Sequence, residues 1–178
     1  CGSRNLNAKL FGNSKSLVLA RSKPRPMIWP PILAGFRNLQ NFTFESDYPY
    51  TGVPGRGVKV ADLPPTLQSL TLRYFDPISD MFEPYIDSQL GRLSHREGGF
   101  AQRFPNLTKL SLVGTPPYEA EVFKLFPSTL TDLQLHANSD FEVFPHLLDL
   151  PIGLKNLSVG TALQTRKGVK VEFPPNLE

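Results

Sequence analysis

The feature that most constrains this chain is a short apolar pattern, L-x-x-L-x-L, that returns along most of its length. It reads Leu67, Leu70, Leu72, then Leu107, Leu110, Leu112, then Leu130, Leu133, Leu135, then Leu154, Leu157, Val159. An aromatic copy stands at Leu39, Phe42, Phe44, and a degenerate one ends in Leu17 and Leu19. Measured between last apolar positions, Leu112 to Leu135 is 23 residues and Leu135 to Val159 is 24. Leu19 to Phe44 is 25, Phe44 to Leu72 is 28, and Leu72 to Leu112 is 40. A chain that repeats itself at such a period builds one supersecondary unit per copy and stacks the copies.

Each position of the pattern has a physical role. The L-x-L part alternates inward and outward, as a short strand does. The leucine three residues earlier turns the chain toward the same core. An apolar residue and a proline introduce the clear copies, at Leu63-Pro64, Phe104-Pro105, Phe126-Pro127, Leu150-Pro151 and Phe173-Pro174. The residue before a proline is pushed to extended backbone, and the proline cannot donate to a ladder. It therefore closes the outer segment before the strand begins. One unit cannot bury its own leucines, whereas stacked neighbours bury each for about 1.5–3 kcal/mol.

The pattern resembles the leucine-rich-repeat family over roughly residues 10–178. The local forms LPPTLQSLTL (63–72) and LPIGLKNLSV (150–159) look like the LPxxLxxLxL variants. Those include the FNIP repeats of amoebae and the repeat domains of bacterial effector ubiquitin ligases. The resemblance implies an α/β solenoid, a right-handed coil. A short parallel β-sheet is expected on the concave face, with irregular loops and short helices on the convex face. The expected organisation is one domain over 1–178, about six repeats with the last cut off in FPPNLE, and an insertion at 76–103. The family's asparagine after the strand matches only Asn138; Asp47, Phe75, Thr115 and Ala162 stand there in the other copies. The asparagine ladder that satisfies inward backbone groups is thus mostly missing, and an irregular convex side is expected. No ligase catalytic region accompanies the repeats, so that activity does not carry over.

Within the insertion, Ile78, Met81, Phe82, Tyr85, Ile86, Leu90 and Leu93 follow i, i+3, i+4 spacing. The spacing predicts one turn at 78–83 and a helix from about 84 to 95, with Pro84 at its first position and Gly98-Gly99 as its stop. It reads as a convex helix that covers the core with its apolar stripe, rather than as a protrusion that meets a partner. Asp80, Glu83 and Asp87 read as its solvated side, not as metal ligands. YEAEVFKLF (118–126) predicts a short convex helix. The glycine-rich TGVPGRGVKV (51–60) lacks the Lys-Ser/Thr ending of a phosphate loop and reads as a convex loop. MIWPPI (27–32) reads as a cap that holds Trp29 outside the sheet.

Composition narrows the classes. The chain has 178 residues, 40% hydrophobic and 20% charged, which is globular and not disordered. Its 18 prolines fit many short elements rather than long helices. No apolar run is long enough for a membrane span, and no signal peptide opens the chain. Cys1 is the only cysteine, which rules out an internal disulfide framework and points to a reducing, cytoplasmic setting. Because the chain opens on Cys1 and stops inside a repeat, a segment of a larger protein is expected. The N-x-[ST] triplets at Asn41, Asn106 and Asn156 read as coincidence, since two fall within predicted strands.

The net charge of +3 is unevenly spread. Residues 1–44 hold Arg4, Lys9, Lys15, Arg21, Lys23, Arg25 and Arg37 and no acid, leaving twelve basic against sixteen acidic residues beyond. An anionic partner at that end is one reading, and a solvated end is the plainer one. Arg166, Lys167 and Lys170 form a smaller basic patch that reads as a solvated loop.

Chemistry finds little support. His95, His136 and His146 have no metal-ligand spacing, and no Cys-x-x-Cys or G-x-S-x-G occurs. The expectation is no enzyme, no cofactor and no metal. What remains is the open face of the sheet, where residues between the leucines point away from the core. They form three columns: Asn41, Ser69, Lys109, Asp132, Asn156; then Thr43, Thr71, Ser111, Gln134, Ser158; then Glu45, Arg73, Val113, His136, Gly160. All but Gly160 are candidate partner-binding residues. Glu45 with Arg73 and Lys109 with Asp132 are candidate cross-strand pairs. The favoured function is a protein-binding module within a scaffold, receptor or ligase adaptor. The alternatives are a nucleic-acid or anionic-surface binder working through the basic end, and a purely structural or oligomerising solenoid.

Overall fold

A computed structural model describes residues 13–21, 35–46, 63–73, 86–87, 92–93, 100–115, 123–137, 149–160 and 173–178. The repeat positions become strands: β1 (Ser16–Arg21), β2 (Asn41–Ser46), β3 (Ser69–Arg73), then, after the insertion, β6 (Lys109–Thr115), β7 (Asp132–Ala137) and β8 (Asn156–Val159). The six pair in parallel in the order β1-β2-β3-β6-β7-β8, so neighbours in the sheet are successive repeat strands. The register holds through the leucine positions of every pair and shifts once, between Val113 and Thr115 at the end of the β6–β7 pairing. Phe42 pairs with Leu70, Leu70 with Leu110, Leu110 with Leu133, and Leu133 with Leu157. Because a slip of one residue would turn every leucine outward, the buried face alone specifies this alignment.

The core lies on one side of the sheet. Leu39, Phe42, Phe44, Leu67, Leu70, Leu72, Leu107, Leu110, Leu112, Leu130, Leu133, Leu135 and Leu154 are buried there. Phe36, Leu63, Phe100, Phe104, Phe123, Leu125, Phe126 and Leu150 complete it from outside the strands. Phe100 meets Phe104 edge to face at 5.0 Å between centroids, and Phe123 meets Phe126 at 5.8 Å. At the sheet's margins Leu17, Leu19, Leu157 and Val159 are only partly buried.

The junctions between units are chemically alike. A tight turn closes ahead of each first leucine: Leu39 N–H to Phe36 O, Leu67 to Pro64, Leu107 to Phe104, Leu130 to Pro127, Leu154 to Pro151, Leu177 to Pro174. In the five-residue forms (LPPTL, FPSTL, LPIGL, FPPNL) the turn starts at the proline, and Pro64, Pro127, Pro151 and Pro174 are buried. In the shorter FPNL form it starts at Phe104 and Pro105 is exposed. Past each leucine, one carbonyl accepts two successive amides from the next unit. Lys15 O takes Gln40 and Asn41; Gln40 O takes Gln68 and Ser69; Gln68 O takes Thr108 and Lys109; Thr108 O takes Thr131 and Asp132; Thr131 O takes Lys155 and Asn156.

Threonine hydroxyls add to these junctions. Thr66 Oγ1 donates to Leu39 O at 2.7 Å and Thr129 Oγ1 to Leu107 O at 2.8 Å. Thr108 Oγ1 donates to Gln68 O at 3.2 Å, and Thr131 Oγ1 lies 3.2 Å from Thr108 O while its one proton goes to the nearer Asp132 Oδ2 at 2.7 Å. Gly153 takes the equivalent place in its copy, where a Cβ would stand 3.2 Å from Ser128 O. Asn176 Nδ2 donates to Ile152 O at 2.8 Å in the following copy.

The insertion departs from expectation. Residues 86–87 and 92–93, placed by their periodicity in a helix from 84 to 95, are instead short strands β4 (Ile86–Asp87) and β5 (Arg92–Leu93). They pair antiparallel, Ile86 with Leu93 and Asp87 with Arg92. Two features favour strand over helix. Gly91 costs a helix interior about 1 kcal/mol, and the antiparallel register sets apolar Ile86 against apolar Leu93. The helical turn lies later, at α1 (Phe100–Arg103), beyond the glycines taken as the stop. It buries Phe100 and sends Arg103 Nη2 to Leu63 O at 2.8 Å, which ties the end of the insertion to the preceding unit. Of the segment 118–126, residues 123–126 are described and form a turn closed by Phe126 N–H to Phe123 O at 3.3 Å. The expected turn at 78–83, the loop at 51–60, Trp29 with its segment, the basic patch at 166–170, and His95 and His146 lie outside the described residues. Among the described residues, no helix is long and apolar enough to cross a membrane.

Candidate functional site

Alternation along the strands places every candidate residue on the face opposite the core. In β3 the leucines are buried while Ser69 and Thr71 are half-buried and Arg73 is exposed. The in-register pairing then aligns the columns. Asn41, Ser69, Lys109, Asp132 and Asn156 are successive partners, as are Thr43, Thr71, Ser111, Gln134 and Ser158. Glu45, Arg73, Val113 and His136 form the third row, and Gly160 extends it by donating its N–H to Leu135 O at 2.9 Å. β1 adds Ser16, Val18 and Ala20 to the three columns. The sequence reading missed these, although the spacing of Leu17 and Leu19 would have given them. Val18 is 63% exposed, an apolar spot on a mostly polar face.

The face divides into two hydrogen-bonded groups. In one, Ser111 Oγ donates to Gln134 Oε1 at 2.7 Å, which turns the amide nitrogen toward His136 Nε2 at 3.4 Å. The same ring nitrogen lies 3.3 Å from Ser158 Oγ. The His136 ring packs flat on Gly160, so closely that a Cβ there would overlap it. In the other, Asp132 is held on both oxygens, by Thr131 Oγ1 at 2.7 Å and by Asn156 Nδ2 at 3.0 Å. At the far margin Asn41 Nδ2 donates to Ser16 Oγ at 3.1 Å. Asn41 and Asn156, two of the N-x-[ST] asparagines, thus stand in strands with engaged side chains, and Asn106 is exposed in a turn.

The two expected cross-strand ion pairs part ways. Arg73 Nε meets Glu45 Oε1 at 3.4 Å, an exposed contact worth about 0–1 kcal/mol. Lys109 and Asp132 stand opposite each other in register but make no ion pair; the Asp132 oxygens accept from Thr131 and Asn156 instead. Between the columns lies a depression of about 380 Å³, lined by Ser69, Thr71, Lys109, Ser111, Asp132, Gln134, Asn156, Ser158 and Glu178 with the neighbouring leucines at its floor. Among the described residues no cluster of three or more potential metal ligands occurs. From the basic end, Lys15 and Arg37 are exposed, and the other side chains of that set lie outside the description.

The chain was compared with family models, with curated proteins and with solved structures, and it matches none of them.

Proposed function

We propose that this chain is part of a leucine-rich-repeat solenoid that binds another protein or a peptide on the polar face of its sheet. The observation that carries this reading is the sheet itself: six parallel strands in chain order, one per repeat, with leucines on one face and aligned polar columns on the other. Successive parallel strands joined by short connections wind into a right-handed coil, and such a coil curves its sheet into an extended binding surface. The middle column, Thr43, Thr71, Ser111, Gln134 and Ser158, is made of small or uncharged polar side chains. It lets a partner backbone approach without a charge to desolvate.

The test is the triple variant Thr71→Arg, Ser111→Arg, Gln134→Arg. Each arginine projects from the face and spares the core, so circular dichroism and the melting temperature stay within a few degrees of the parent. Proteins crosslinked to the parent chain in a cell lysate are expected to be lost from the variant. Unchanged recovery sinks the reading. Retention on heparin that survives the triple change and falls with Lys15→Ser and Arg37→Ser would move the function to the basic end. A mass that rises with concentration in light scattering would make the face an oligomer contact.

A further inference from the structure

The depression on the polar face is electrically polarised. Its long axis crosses the strands, because its walls come from the same register positions on β3, β6, β7 and β8. At the β3–β6 end Lys109 is exposed, flanked in register by Ser69, with no ion pair among the described residues. On the adjacent strand β7, in register with it, stands the Asp132 carboxylate, which accepts from Thr131 Oγ1 on one oxygen and from Asn156 Nδ2 on the other. Glu178 also lines the depression. Facing charges on adjacent strands ordinarily neutralise one another. Here the carboxylate bonds these two donors and makes no ion pair with Lys109, which leaves a cation and an anion side by side on one shallow surface.

We propose that this depression seats an extended peptide segment that crosses the strands and presents an acidic side chain to Lys109 and a basic one to Asp132 and Glu178. The inference rests on the protein-binding reading above and specifies the partner's chemistry. The spacing follows from strand geometry. Lys109 on β6 and Asp132 on β7 are register partners, one inter-strand step of about 4.8 Å apart. An extended chain advances about 3.3 Å per residue and returns to the same face every second residue. The acid and the base therefore lie two residues apart, on one face of the peptide, with the side-chain lengths taking up the remainder.

The test is selection of a displayed library of random heptapeptides on the whole chain at low ionic strength, repeated on Lys109→Glu. On the parent, enriched peptides carry an acid and a base two residues apart. Affinity, read by fluorescence polarisation of the enriched peptide, falls at least tenfold on Lys109→Glu and also falls as salt is raised. Selection on Lys109→Glu replaces the acid by a base. The polarised seat is overturned if no peptide is enriched, if enriched peptides lack the pair or carry it at another spacing, or if Lys109→Glu selects the same sequences. Peptides that lack the pair but are lost on the triple arginine variant leave the binding face standing without its poles. Peptides that bind the triple variant as tightly as the parent overturn both readings.

Discussion

At the scale of single residues, hydroxyls help to join one unit to the next. Thr66 and Thr129 sit one residue before the first leucine of their units and reach back to the leucine carbonyl of the unit before. Replacing either by valine keeps the branched shape and removes the donor. Each change is expected to cost about 0.5–1.5 kcal/mol, read as a lower midpoint in urea with an unchanged slope. An unaltered midpoint would mean that these contacts contribute nothing net. The outward columns were legible residue by residue, because alternation leaves no other place for Ser69 or Gln134. What these residues bond to was not legible. Lys109 and Asp132 face each other in register, yet the carboxylate bonds Thr131 and Asn156 and makes no ion pair with Lys109.

At the scale of elements, the six strands were legible and the insertion was not. A strand in this chain is fixed twice over, by its own alternation and by its place in a repeating register, so errors in one copy are corrected by the others. The segment at 84–95 has no second copy, and seven apolar residues at helical spacing can serve a hairpin as well. The insertion leaves the sheet untouched: β3 and β6 pair in the same register as strands joined by shorter connections. In the next unit nine residues suffice between Val113 and Phe123, whereas twenty-six separate Arg73 from Phe100. Replacing 74–99 by a nine-residue Gly/Ser linker is therefore expected to keep the fold, with far-UV circular dichroism retained and a melting temperature only a few degrees lower. Loop-closure entropy varies slowly with length and does not oppose it. Loss of cooperative melting would show that the insertion supports the core.

At the scale of the whole molecule, every strand of the main sheet pairs only with the strands of the units before and after it, so order spreads from unit to unit. Burial is complete for the central leucines and partial at Leu17, Leu19, Leu157 and Val159. Hydrogen exchange followed by mass spectrometry is expected to grade accordingly. Amides of β3, β6 and β7 exchange slowest, and those of β1 and β8 fastest. Uniform protection across all six strands would point instead to a single cooperative block. The overall plan was legible because period and phase are carried by residues that must be buried. The function was less so, since the outward residues answer to a partner and not to the core.

The junction chemistry has a consequence for how such a chain changes over generations. Each unit meets its predecessor through the same turn and the same doubly used carbonyl, whether the span between them is 23 residues or 40. An in-frame duplication of one unit in the gene therefore delivers a segment that already carries its own docking contacts on both sides. Deletion of a unit leaves two ends that fit each other. Length is thus free to drift by whole units without a matching change elsewhere, and the columns of the outward face lengthen or shorten with it.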